Sequence, residues 1–267
     1  MSLRASVKPF VKATACGNDF LIIDGIHAPR DLGDYCRRIC DRNNGVGADG
    51  VEWLYMTNDA DVYAKLINAD GSEAEISGNG TRCVAAYLCS EQAREKVVIK
   101  TDAGLKTCTL ISISDTQYEF EVAMGKPRVE PELYLKLSAQ EVRGTPVSIG
   151  NPHYVIFVDE FVPGWQEFAR EVGSRCEFPH GVNLELVRIR SKNEIESRFY
   201  ERGVGETRSS GTGSCASAVA AIADKRAVSP VKVHAPGGTQ SVRWEDQVYL
   251  RGPAQIVCRG EYYVAGL

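Results

Sequence analysis

The chain has 267 residues, of which 43% are hydrophobic and 25% charged, and its formal net charge is −4. That length suits one large domain or two smaller ones with a substantial core. The mild acidity argues against a surface for nucleic acid or an anionic membrane.

Taken in chain order, the first half alternates like strand at "DFLIID" (19–24), "DVYAKLIN" (61–68), "KVVIKT" (96–101), "LKTCTLIS" (105–112) and "YEFEV" (118–122). Between them, residues 31–42 place Leu32, Tyr35, Cys36, Ile39 and Cys40 on the stripe of a surface helix. "TRCVAAYLCSEQ" (81–92) is apolar or small nearly all round, as a buried helix is. Gly and two prolines in "MGKPRVEPE" (124–132) interrupt the pattern and set the expected boundary between two domains. The second half repeats the order. Strands are expected at "HYVIFV" (153–158), "VNLELVRIR" (182–190), "ESRFYE" (196–201), "VKVHAP" (231–236), "QSVRWE" (240–245) and "AQIVC" (254–258). A surface helix is expected at 164–173 and a second buried helix at "SCASAVAAIADK" (214–225). The short punctuated spacing favours antiparallel hairpins over βαβ crossovers. Each half therefore reads as a curved sheet wrapped around one central helix.

The start, "MSLRASVKPF", has no apolar run behind its positive charge, so no secretory signal is expected. The longest uncharged stretch, 209–223, is too short and too rich in Gly and Ser to cross a bilayer. Nine cysteines without a signal read as reduced thiols in a cytoplasm. No CxxC and no paired His–Cys spacing occurs, so no metal site is expected.

One phrase occurs twice. Residues 77–84 read "SGNGTRCV" and residues 210–216 read "SGTGSCA", an offset of 210 − 77 = 133. "GNDF" from Gly17 and "GNPH" from Gly150 keep the same offset, 150 − 17 = 133. Each Ser–Gly loop precedes a buried helix, whose unpaired N–H groups and macrodipole receive anions. Glycines there let the backbone approach a small carboxylate or oxyanion. No phosphate-loop pattern is present, and "GVGETR" (203–208) ends in Arg where a dinucleotide fingerprint needs Gly or Ala. Paired loops suit inversion of a stereocentre, which takes a proton from one face of a carbon and returns one to the other.

"NADGSEAEISGNGTRC" (68–83), "GNDF" (17–20), "GNPH" (150–153), "GVN" (181–183) and "YERGVGETRSSGTGSCA" (200–216) together resemble the diaminopimelate epimerase family, as do "GVGADG" (45–50) and "PGG" (236–238). The resemblance runs in order along nearly the whole chain. It implies an α/β (α+β) fold of two pseudo-symmetric domains, residues 1–125 with a C-terminal return at 256–267, and residues 126–255, with the active site in a cleft. It implies a cofactor-independent isomerase that converts LL- to meso-diaminopimelate in lysine biosynthesis, acting on a small amino acid with a second carboxylate, as a homodimer in the cytoplasm. No nucleic acid or membrane is implied as partner. Position by position, Asn18, Asn68, Asn151 and Asn183 are the implied substrate-binding asparagines, and Arg202 the partner of a distal carboxylate. Gly78, Asn79, Gly211 and Thr212 are the implied carboxylate-holding loop residues, with His153 and Glu201 as polar partners of the two catalytic bases.

The family's two bases are cysteines, and here both positions are serine, Ser77 and Ser210. A thiol titrates near 8.5, whereas a serine hydroxyl is a poor base unless another group takes its proton. Cys83 and Cys215 read as core thiols, and Cys16 is the one other cysteine expected near the cleft. Three readings stay open: introduced Cys→Ser replacements, a natural relative that uses the serines for this or another isomerisation or elimination, and a noncatalytic amino-acid binder. The natural relative is preferred, since "EISGNG" and "RSSGTG" also depart from the family pattern beside each serine.

Overall fold

The computed structural model describes residues 6–264. The chain folds as two compact units, the first ending at Val122 and taking up the chain again from Pro253, the second covering Ala123–Gly252.

The first unit contains β1 (Ser6–Ala15), β2 (Asn18–Asp24), α1 (Leu32–Ile39), β3 (Gly50–Tyr55), β4 (Val62–Asn68), β5 (Glu73–Ala74), α2 (Gly78–Glu91), β6 (Lys96–Thr101), β7 (Gly104–Ser114) and β8 (Gln117–Gly125), whose last residues lie past the boundary. Together with the later part of the last strand, β18 (Val248–Val264), seven of these close a ring in the order β1–β2–β3–β4–β6–β7–β8–β18. The second unit holds β9 (Arg128–Val129), β10 (Leu133–Lys136), β11 (Glu141–Ser148), β12 (Pro152–Phe157), α3 (Trp165–Gly173), β13 (Asn183–Ser191), β14 (Glu194–Glu201), β15 (Gly205–Thr207), α4 (Gly211–Ala223), β16 (Val231–Ala235) and β17 (Gly238–Trp244). Its main strands follow the same series, β11–β12–β13–β14–β16–β17–β18.

Most ladders are antiparallel, as expected. Among the described residues four are parallel: β2–β3, β4–β6, β12–β13 and β14–β16. Each spans a helix, so the βαβ crossover is used twice per unit, which the hairpin reading of the sequence did not foresee. The reason lies in burial on both faces. In the second unit Tyr154, Ile156, Leu184 and Leu186 pack with Trp165, Ala169 and Val172 of α3, while Val155 and Val187 pack with α4. Strands covered on both sides read as continuous apolar runs. In the first unit Tyr35, Cys36 and Ile39 of α1 cover Leu21, Ile23, Trp53 and Ile67 from outside. The inner helix, α2, is buried along nearly its whole first ten residues, and α4 is buried over all but one of its first ten.

The internal offset is structural. Phe20 pairs with Gly50 and Ile22 with Glu52, and 133 residues on His153 pairs with Asn183 and Val155 with Glu185. Past the inner helices the offset grows by one: Ile99 faces Lys106 where Val233 faces Gln240, and 233 − 99 = 134.

Candidate active site

Both serines cap their helices. Ser77 precedes α2 at φ −121° and ψ 123°, and its Oγ accepts from Gly80 N at 3.1 Å. Ser210 precedes α4 at φ −137° and ψ 128°, and its Oγ accepts from Gly213 N at 3.2 Å. Each hydroxyl oxygen thus lies at the positive end of a helix dipole. The first turn of each helix also presses on a buried carboxyl. A Cβ on Gly80 would lie 2.1 Å from Glu52 Oε1, and one on Gly213 would lie 2.9 Å from Glu185 Oε1, so only glycine fits. Glu52 and Glu185 are another pair at the offset, 185 − 52 = 133, and are 3% and 1% exposed.

Around Ser210 the second unit assembles titratable groups. Glu201 ends β14, accepts from Thr207 Oγ1 at 2.7 Å and takes a hydrogen bond from Ser210. Burial pushes the Glu201 carboxyl up, and the Thr207 bond, the charge of His153 and the Ser210 bond oppose that. His153 bonds to two neighbours of its own. Its Nδ1 is 2.7 Å from Glu185 Oε1 and its Nε2 is 2.9 Å from Asn151 Oδ1. Burial pushes Glu185 up to about 7, against the charge and hydrogen bond of His153. A proton shared between Glu185 and Nδ1, with Nε2–H donating to Asn151, satisfies this string, and Glu185 Oε2 alone is left without a partner. Asn151 Nδ2 continues toward Thr212 Oγ1 at 3.4 Å.

Asn183 spends both ends of its amide on backbone. Nδ2 donates to Pro152 O at 2.9 Å and Oδ1 accepts from Arg202 N at 3.0 Å, so it positions Arg202. Arg202 is exposed, and its Nη1 donates to His180 O at 3.0 Å. Gly181 lies at φ +72° beside the Arg202 stem, where an added Cβ would come within 2.9 Å of Cδ.

The surroundings of Ser77 differ. Phe20 stands at the offset position of His153, and Asn68 at that of Glu201. Asn68 Nδ2 donates to Ser72 Oγ at 3.0 Å. Glu52 has burial as the one cause that moves it, to about 8. Within α2, Arg82 is fully buried and donates only to neutral acceptors: Asn79 Oδ1 at 2.5 Å, Gly78 O at 3.1 Å, Pro253 O at 3.3 Å and Cys16 Sγ at 3.9 Å. Asn79 Nδ2 donates to Asn18 Oδ1 at 3.1 Å, and Asn18 Nδ2 to Asp49 Oδ2 at 2.5 Å. Burial raises the neighbouring Asp19 carboxyl, but bonds and charge from Arg42 and Lys12 outweigh it and hold the carboxyl low.

Cys83 and Cys215 are fully buried, as read from sequence, and desolvation pushes the Cys83 thiol well up. Cys16 is buried at φ +51°, beside the Arg82 guanidinium. Sequence reasoning missed Glu52, Glu185, Arg82 and Asp49. A signal for the first two was present: each is a lone carboxylate inside an apolar run, "GVEWL" and "NLELV", at the offset already in hand.

A sequence model described as diaminopimelate epimerase matches residues 10–130 and 145–257. A diaminopimelate epimerase of Desulfitobacterium hafniense is 35% identical, covering 94% of this chain and 96% of its own. One of Desulforudis audaxviator is 37% identical, covering 95% and 98%. Among solved structures, a hydroxyproline epimerase from Agrobacterium vitis superposes with a TM-score of 0.72 at 16% identity, covering 97% of this chain and 93% of that one. A PhzF-family phenazine biosynthesis protein of Bacillus anthracis gives 0.71 at 15%, covering 96% and 99%. These two likenesses speak for the fold. With the sequence match over nearly its full length, this chain belongs to the diaminopimelate epimerase family and is an isomerase of the epimerase type.

Proposed function

We propose that this chain epimerises LL-diaminopimelate to the meso form without a cofactor, in the cytoplasm and as a homodimer, in lysine biosynthesis. The observation that carries the reading is the duplicated cap: two serine hydroxyls at helix starts, 133 residues apart, in a member of this family. Epimerisation needs one group to take the α-proton and another to deliver one to the opposite face. The reading gives one task to each hydroxyl. Backbone N–H groups at Gly78, Asn79, Gly211 and Thr212 then hold the α-carboxylate as it gains enolate-like charge. Asn18, Asn68 and Asn151 orient the amino acid, Asn183 sets Arg202, and Arg202 receives the distal carboxylate.

A serine takes a carbon-bound proton only if its own proton has somewhere to go. Ser210 has such an outlet. Its hydrogen bond to Glu201, whose carboxyl burial makes more basic, lets Glu201 accept the hydroxyl proton as Oγ takes the α-proton. The His153–Glu185 pair is close enough for its charges to act on Glu201. Ser77 delivers a proton from the other loop and regains one from water, as Glu201 returns its own to solvent.

The test is hydrogen exchange at the α-carbon of LL-diaminopimelate in deuterated water, followed by NMR. Slow exchange is expected from the chain as it stands, and Ser77→Cys with Ser210→Cys is expected to raise it by roughly 10²-fold or more. Thermal stabilisation by the ligand without exchange, before and after those replacements, would make the chain a binder instead.

A further inference from the structure

Asn18 and Asn79 form a file with a charge at each end. Their two amide ends have the same shape, so hydrogen-bond partners alone decide which end points where. Arg82 has five donors and no acceptor, so Asn79 must show it Oδ1, at 2.5 Å. That turns Asn79 Nδ2 toward Asn18, which must in turn show Oδ1, at 3.1 Å. Asn18 Nδ2 then meets Asp49 Oδ2 at 2.5 Å. The same Asp49 carboxylate accepts from Asp19 N at 3.1 Å and from Arg42 Nη2 at 2.8 Å, so it acts as acceptor throughout. Reversing either amide would set N–H against guanidinium or C=O against carboxylate. The second Nδ2 hydrogen of Asn18 has no partner among the described residues, and the side chain is half-buried beside the start of α2.

We propose that Arg82 and Asp49 are positioning residues that lock Asn18 as a donor toward the ligand, making this corner of the first unit a subsite for a carboxylate oxygen and not for an ammonium group. The anion preference has two further supports on the same unit. The positive end of the α2 dipole lies here, and the buried Arg82 charge has only neutral acceptors around it. The assignment of the ligand rests on the epimerase reading; the locked file does not.

The experiment compares the wild-type chain with Asn18→Asp and with Asn18→Asp combined with Asp49→Asn. The single replacement sets a carboxylate against the Asp49 carboxylate, and Tm is expected to fall by about 5 °C or more. The double replacement restores a donor–acceptor match at that link but leaves an acceptor facing the ligand. Tm is therefore expected to recover by at least half, while α-hydrogen exchange of LL-diaminopimelate stays at least about 10-fold below wild type. A single variant with wild-type Tm, a double variant without recovery, or a double variant with wild-type exchange would overturn the proposal. If the single variant does not fold, a folded double variant with exchange still lost supports it. A wild-type chain with no exchange at all sinks the epimerase reading, while the Tm comparison still decides whether the file is locked.

Discussion

The starts of α2 and α4 are built alike and equipped differently. Each has a serine cap, a glycine pressed on a buried glutamate and the same strand register behind it. Around Ser210 stand Glu201, His153 and Glu185, and burial raises both carboxyls, that of Glu185 to about 7. Around Ser77 the matching places hold Asn68 and Phe20, and a cation, Arg82, lies inside the helix where the other unit has Cys215. Duplication has kept the capped backbone and let the side chains around it diverge. In the proposed mechanism, taking up a hydroxyl proton belongs to the second unit, and ordering a donor belongs to the first.

The sharpest way to break that contrast is Glu201→Gln. If Glu201 receives the Ser210 proton, α-hydrogen exchange falls by about 10²-fold, with ligand stabilisation of Tm retained. An unchanged rate would leave Ser210 no better placed than Ser77. Glu185→Gln comes next. It keeps a hydrogen-bonding side chain for His153 but removes a carboxyl that burial has moved up to about 7. The rate is expected to drop about 10-fold and the pH–rate profile to lose its inflection near neutrality. A profile of the same shape in wild type and variant would remove Glu185 from the proton string.

Glu52→Gln probes the quieter unit through stability. The folded-state value of about 8 lies above the ordinary carboxyl value, so between about 4.5 and 8 the folded chain holds a proton that the unfolded chain has released. Wild-type stability is then fullest at low pH and falls as pH rises through 8, whereas the variant lacks this loss. In melts from pH 5 to pH 9 the variant should gain several degrees on wild type at the alkaline end. Parallel curves would show that Glu52 does not titrate there. The smallest effect is expected from the caps: Ser77→Ala and Ser210→Ala should each cost about 1 kcal/mol in urea unfolding, nearly equal despite their different surroundings.

Much of this was legible from residues alone. The two inner helices announced themselves by being apolar all round, and the offset of 133 between repeated phrases carries through into the β2–β3 and β12–β13 ladders. The three longest of the strands missed, β1, β3 and β11, have local reasons. β1 contains Pro9, which falls where β1 pairs with β18 alone, since its ladder with β2 begins at Val11. β3 hides Glu52 in an apolar run. β11 carries Gly144 and Pro146, and Gly144 is required because a Cβ there would lie 2.5 Å from the Tyr154 ring. At the site, capping serines and loop glycines have short-range signatures. The Arg82–Asn79–Asn18–Asp49 file does not: its bonded neighbours lie up to 61 residues apart, and only the folded chain aligns their donors and acceptors.

The one-residue slip between the halves has a practical use. It arises after each inner helix and before the following strand, around 92–98 in one unit and 225–231 in the other, because the offset is 133 at Val62 and Ile195 yet 134 at their partners Ile99 and Val233. These two bends have therefore already absorbed a change of length while the ladders on either side stayed in step. They are where new termini, a fluorescent reporter or an affinity handle can be spliced in, leaving the capped serines undisturbed at the far end of each helix.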